Sequence, residues 1–371
     1  MGKYGKRKEI QLNPLNYNIG IAGISGVGKT TLTKEVCEKL VGVDGYIALD
    51  LGRESGHNCI TGIVSETVPD WDVFADIVDD IVDNKTKDYP DLKVVILDTM
   101  DELFIMAEEE AIRLHNVDAG DKRITSINQV DGGFGRGLDK TIQLVLDKLW
   151  ELKNVGVQFI AIFHTKNKEV DDVVSGKSYN TITASIMQKY FNAIKTKLDF
   201  LAVAYIDREI IAEGTGKKDI KTKKEIMRNV VVSEARRIAF RSDDYNLDSK
   251  SRFAEIVDNI PLEADAFINA MQDAILAEHA KGSKTVEQSQ KEQEKAEADK
   301  LKAVAALEEK SKKDKELKGI IVQIADYIKA NKLDKDKYQP LLDKTKELGF
   351  ANPTTIDNIK DAKTVLSLIK D

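Results

Sequence analysis

The sequence predicts an α/β fold with a mainly parallel sheet, on three observations. Short apolar runs alternate with amphipathic helical stretches over the first ~240 residues, as successive β-α-β units do. A glycine-rich turn joins the first apolar run to the first helix. A later apolar run ends on a carboxylate, as a buried parallel strand does when it delivers a side chain to one sheet edge.

The elements follow in order. Asn18–Ala22, Tyr46–Asp50, Val94–Asp98, Val157–Phe163, Phe200–Ile206 and Val230–Phe240 read as strands. Lys29–Leu40 reads as a helix with Leu32, Val36 and Leu40 on one face. Trp71–Val82, Asp101–His115, Leu138–Leu152, Ala184–Lys197 and Leu262–Ala280 carry the same periodicity. The composition then changes. Residues 283–318 are Lys, Glu, Gln and Ala with almost no large apolar side chain, which predicts a charged helical or disordered linker. Beyond it, Ile320, Ile321, Ile324, Ala325 and Ile328 form a helical stripe, and Tyr338–Leu348 and Ala362–Ile369 read as two more helices. The expected division is an α/β domain over 1–282, a linker over 283–318 and a small helical module over 319–371.

Composition narrows the function classes. The chain has 371 residues, 42% hydrophobic and 32% charged, with a formal net charge of −7. It has no overall basic footprint for nucleic acid. Residues 283–371 hold 19 Lys against 17 Asp and Glu. Their Lys content therefore marks a self-paired, solvated segment and not a polyanion site. No apolar run approaches the ~20 residues needed to span a bilayer. The first residues lack the apolar segment of a secretion signal. The two cysteines, Cys37 and Cys59, and four scattered histidines suggest neither a disulfide framework nor a zinc site. A reducing, cytoplasmic setting is expected.

The glycine-rich turn carries the chemistry. Gly23, Ile24, Ser25, Gly26, Val27, Gly28, Lys29, Thr30 and Thr31 fit the phosphate-loop pattern G-x-x-x-x-G-K-[ST]. Glycines let successive backbone N–H groups face a polyphosphate, and the following helix adds its positive dipole end. Lys29 would reach the β/γ-phosphates, and Thr30 would hold Mg²⁺. ATP and Mg²⁺ are the expected ligands. Asp98, closing Val94-Val-Ile-Leu-Asp98, fits the Walker B role of a second Mg²⁺ holder. His164 ends the next core strand, where ligands of open α/β sheets bind, and is placed to sense the γ-phosphate. A hydrolase also needs a group to orient or deprotonate water. Asp50 and Glu54 both follow the second strand, and spacing does not separate them. Asp101 and Glu102 are weaker options, because acidic residues in a first helical turn stabilise it through the dipole.

Several motifs together resemble a known group. The strand ending Asp98-Thr99 is similar to RecA-type ATPases more than to typical AAA+ proteins. The run Val130-Asp-Gly-Gly-Phe-Gly135-Arg-Gly-Leu138, then a helix, then a strand ending His164-Thr-Lys166, resembles the phage Sak-type single-strand annealing ATPases. Those are compact RecA-like proteins of bacteriophage recombination modules. Asp248-Ser-Lys250-Ser-Arg252-Phe resembles the Lys-x-Arg element of hexameric RecA-like motors. There, two cations reach the neighbouring subunit's nucleotide. The resemblance covers roughly residues 14 to 275. It implies a RecA-like P-loop NTPase core, a ring or filament of identical subunits, and DNA-stimulated ATP hydrolysis in annealing or strand exchange on single-stranded DNA. In this reading Lys29, Glu54, Asp98, His164, Lys250 and Arg252 are the catalytic set. Ala119–Arg136 with Phe134, and Lys166–Thr183 with Tyr179, are candidate DNA loops. The terminal module is expected to recruit a partner such as a single-strand binding protein. Competing readings are a helicase loader or motor, and a small-molecule kinase. A kinase would want an arginine-rich lid, whereas Arg236-Arg237 sits in an apolar strand pattern and reads as structural.

Overall fold

The computed structural model describes residues 10–54, 56–118, 123–171, 176–218, 225–241, 248–282, 284–331 and 334–369. The chain divides into two compact units, residues 1–79 with 89–298, and residues 80–88 with 299–371.

The first unit is built on one sheet. Its strands are β1 (Ile19–Gly23), β2 (Tyr46–Leu51), β3 (Ser65–Val68), β4 (Val94–Asp98), β5 (Gln158–Asp171), β6 (Ser178–Ala184), β7 (Phe200–Lys218), β8 (Glu225–Ala239), β9 (Lys250–Ser251) and β10 (Asn259–Pro261). The main order is β10-β8-β7-β1-β5-β4-β2-β3. From β7 to β3 every neighbouring pair is parallel, and β8 and β10 close the far edge antiparallel. The expected α/β class with a mainly parallel sheet is what the chain forms. β5 lies between β1 and β4, so the phosphate-loop strand and the Asp98 strand are not neighbours.

Apolar strands explain the layering. All five residues of β1 and of β4 are buried, because helices cover both faces of a parallel sheet. On one face α1 (Lys29–Val41) and α6 (Ala264–His279) pack on Ile19, Ile21, Ile160 and Phe200 through Leu32, Val36, Cys37, Phe267 and Met271. Leu32 and Val36 are fully inside and Leu40 partly so, as their helical spacing implies. Cys37 is buried, and desolvation pushes its thiol pKa well above the ordinary range; Cys59 is exposed. The other helices of this unit are α2 (Trp71–Asn84, through residue 79), α3 (Met100–Asp118), α4 (Arg136–Asn154) and α5 (Gln188–Lys195). Phe104 of α3 stacks on Tyr190 of α5 at 4.5 Å, and Phe163 of β5 meets Phe191 edge-on.

Two segments differ from expectation. Lys166–Thr183 forms a hairpin, β5 with β6, on either side of residues 172–175, which lie outside the described set. The helix expected from Ala184 begins at Gln188, because the ladder continues until the Ser185 N–H donates to the His164 carbonyl at 2.8 Å. β7 and β8 run well past the expected Phe200–Ile206 and Val230–Phe240 as a two-stranded ribbon. Cross-strand pairs Arg208–Glu234 and Arg228–Glu213 support it without burial.

The stretch expected as a linker is helical. α7 spans Val286–Ala330, supported by pairs such as Glu309–Lys313. Its early residues belong to the first unit, where Gln293 bonds Ile10 and Leu12. In the second unit Glu308 accepts from Thr86. There, α7 packs with α8 (Lys335–Glu347) and α9 (Ile359–Ser367) around Ile320, Ile324, Leu341, Ile356, Ala362 and Val365. Of the expected stripe, Ile320, Ile324 and Ile328 join that cluster, together with Leu348, Leu366 and Ile369. Among the described residues, no helix is long and apolar enough to cross a membrane.

Candidate nucleotide site

The phosphate loop leaves β1 at its carboxyl end. Gly26 and Gly28 hold φ of 75° and 110°, the left-handed region that suits glycine. A Cβ on Gly23 would lie 2.8 Å from the Ala204 carbonyl oxygen, so close strand approach also demands glycine there. Helix α1 starts directly on Gly28 with no side-chain cap, so its first N–H groups are left to a ligand or solvent. Lys29 is buried, and its Nζ donates to the carbonyls of Gly23 and Ile24 at 3.0 Å each. Burial lowers its pKa, while Asp98, Asp101 and Glu54 pull it back up.

The strand ends supply the other groups. Thr30 Oγ1 donates to Asp98 Oδ2 at 2.6 Å. A hydroxyl and a carboxylate in contact are a donor set suited to Mg²⁺, a hard cation that prefers oxygen. Asp50 sits opposite Asp98 across the β2–β4 pairing. His57, in a short 3-10 turn after β2, places Nε2 3.3 Å from Asp98 Oδ2. Among the described residues, both Asp50 Oδ1 and His57 Nδ1 are buried without a hydrogen-bond partner. Desolvation raises the Asp50 pKa, with His57 opposing it.

His164 pairs with Gly23 across β5 and β1, which brings it to the phosphate loop. Its backbone N–H donates to Asp101 Oδ2 at 3.0 Å, and its Nε2 lies 2.9 Å from Glu54 Oε1. Asp101 therefore anchors β5 at His164, where its pairing with β1 ends; burial raises its pKa and the His164 N–H lowers it. Glu102 accepts the Arg53 N–H at 3.2 Å and braces the turn that carries Glu54. The two weaker candidates thus have structural occupations. Asp50 is enclosed, whereas Glu54 is part-exposed on His164.

The structure brings Lys29, Thr30, Glu54, Asp98 and His164 to one sheet edge. It does not bring Lys250 or Arg252 there. Lys250 Nζ donates to the carbonyls of Lys195 and Leu198 at 2.7 and 2.8 Å, and Arg252 pairs with Asp199 at 2.9 Å. They secure the C-terminal end of α5. Lys250 pairs with Leu201, which lies beside Gly20, away from the loop end of β1. Burial, then Arg252, lowers the Lys250 pKa. His57 was not legible as a site residue; its only signal is its place three residues beyond Glu54.

This is the site of a P-loop nucleotide-binding domain, with the loop, the helix N-terminus and the Asp98 strand in their required order. A family described as an AAA domain matches residues 15–252, well over half of the chain, and the protein belongs to it. The chain is accordingly an AAA-type P-loop ATPase; the family implies nucleotide binding, typically with Mg²⁺. No curated protein matches it.

Asp98→Asn is expected to leave ADP binding measured in EDTA close to wild type while removing most of its strengthening by Mg²⁺. The change deletes the charge beside Thr30 but keeps the side-chain shape. Undiminished Mg²⁺ dependence in a nucleotide titration would make Asp98 a strand-end cap only.

Proposed function

We propose that the protein is an ATP-hydrolysing recombination protein of the phage Sak type, acting on single-stranded DNA in annealing or strand exchange. The observation that carries this reading is the Glu54–His164 contact at 2.9 Å beside Lys29. It joins a carboxylate able to orient water to a histidine, at the end of the β1–β5 pairing, able to respond to the terminal phosphate. Lys29 and the loop N–H groups bind the phosphate chain, and Thr30 and Asp98 hold Mg²⁺. The metal, when bound, neutralises developing phosphate charge. Glu54 rather than Asp50 orients water, because Asp50 is buried and already faces His57.

Phe134 supports the DNA half of the reading. It is fully exposed, on a turn where Asp131, Gly132, Gly133, Phe134 and Gly135 all hold positive φ. An apolar ring presented this way fits stacking on an unpaired base. Phe134→Ala should weaken single-stranded DNA binding by ~1–3 kcal/mol, read by fluorescence anisotropy, without changing ADP affinity. Unchanged DNA affinity would remove this turn from the DNA contact. Residues 119–122 of the same candidate loop lie outside the described set.

The same reading implies a ring or filament of identical subunits. Arg252, more than half exposed despite its Asp199 pair, and Lys250 then serve the neighbouring subunit's phosphates. The C-terminal unit serves as a dock for a single-strand binding protein. A pull-down with that protein, using a chain ended at Ala298 as control, tests the dock; equal capture by both chains would sink it.

The functional test is ATP hydrolysis with and without single-stranded DNA, double-stranded DNA and RNA, with sedimentation of the same samples. Stimulation by single-stranded DNA together with assembly is expected. Turnover indifferent to all three, in a monomer, would contradict the proposal.

A further inference from the structure

The phosphate loop has a cationic neighbour outside its motif. On Gly28, the position a Cβ would take lies 3.7 Å from Arg236 Nη1 and 3.3 Å from Leu262 Cδ2. The strand registers explain the approach. Ala204 of β7 pairs with Gly23, the last residue of β1, and Ile206, two residues further, pairs with Arg236 of β8. Arg236 therefore stands just beyond the edge from which the loop emerges. Ile206 packs on the α1–α6 face, and cross-strand partners project to the same face. That directs Arg236 to the side where α1 begins. Its carbonyl accepts the Leu262 N–H at 3.0 Å, which ties this end of β8 to the segment entering α6.

Its neighbours on the ribbon are all engaged. Arg208 pairs with Glu234, Arg228 with Glu213, and Arg237 with Asp207 and Asn259. Arg236 makes no ion pair or side-chain hydrogen bond among the described residues, and it is exposed. The electrostatics give this cation a purpose. Lys29 is the one cation of the loop, and Asp98, Asp101 and Glu54 already act on it. Beside those three carboxylates and a Mg²⁺ shared with Thr30, a further unpaired cation at the loop would strengthen the hold on a polyphosphate. A guanidinium suits it, since its donor fork matches phosphate oxygens.

We propose that Arg236 is a phosphate-binding residue of this nucleotide site, supplied by the same chain from β8, with nucleoside di- and triphosphates as its ligands. It rests on the nucleotide-binding reading above. It also replaces the structural role expected for Arg236 from its apolar strand context.

The test is titration of fluorescent mant-ADP with Mg²⁺ into wild type, Arg236→Ala, Arg236→Lys, Arg208→Ala and Lys29→Ala. Arg236→Ala should bind about 10- to 100-fold more weakly, the scale of a lost hydrogen bond to a charged group. Arg236→Lys should recover part of the loss, and Arg208→Ala should match wild type. Thermal unfolding without nucleotide should be unchanged in Arg236→Ala, because the side chain is exposed. Binding by Arg236→Ala within about twofold of wild type, while Lys29→Ala loses binding, would overturn the proposal alone. Wild type that fails to bind, or Lys29→Ala that binds equally well, would overturn the nucleotide site and this proposal with it.

Discussion

Lys29→Ala is expected to lower ATP turnover at least ~100-fold while the chain still folds. The side chain reaches no apolar core. Its Nζ rests on the Gly23 and Ile24 carbonyls at 3.0 Å, inside the loop that would surround a phosphate. Burial already depresses its pKa, so holding that charge there costs stability that alanine does not pay. The loop keeps its conformation through Gly26 and Gly28. Steady-state hydrolysis measures the loss, and near-UV circular dichroism checks the fold. Turnover within tenfold of wild type in a folded variant would take Lys29 out of the site.

The largest stability effect is expected at Phe200. It is fully buried at the start of β7 and pairs with Ile19 of β1. Its ring stacks on Phe253 at 5.0 Å and meets Tyr17 and Phe240 edge-on at 5.9 and 6.5 Å. Phe200→Ala removes the shared member of all three contacts and leaves a cavity beneath the phosphate-loop strand. The cost should be ~3–5 kcal/mol in urea unfolding. A cost below about 1 kcal/mol would show that the surrounding rings close the gap.

What the sequence disclosed follows from burial. β1, the phosphate loop, α1 and the Asp98 strand were legible because each needs a distinct residue pattern. Continuous apolar runs mark β1 and β4, and glycine marks the loop. The β7–β8 ribbon was legible only at its buried root. Beyond Ile206 it carries Arg208, Glu209, Ile210, Ile211 and Glu213, all exposed, so no buried-face alternation exists to read. β6 did carry a signal, since Tyr179, Thr181, Ile182 and Thr183 favour strands, but polar neighbours read as loop. α7 lacks an apolar stripe over its first half, which made helix and disorder equivalent on composition. Within the site, Asp98 was placed by its strand end and His164 by the end of an apolar run, although β5 itself continues past it as a polar ribbon. Asp50 and Glu54 differ in enclosure, which sequence spacing does not encode. His57 and Arg236 reach the site through a short turn and a strand register that sequence spacing does not encode.

Lys29, Thr30 and Asp98 are expected to act as one Mg²⁺-nucleotide site. Calorimetric titration of ADP into wild type and Lys29→Ala, with and without Mg²⁺, tests it most directly. Saturable one-site binding that Mg²⁺ strengthens in wild type, and that is absent in Lys29→Ala, is the expected result. Equal binding by the two proteins, or none by wild type, would contradict it.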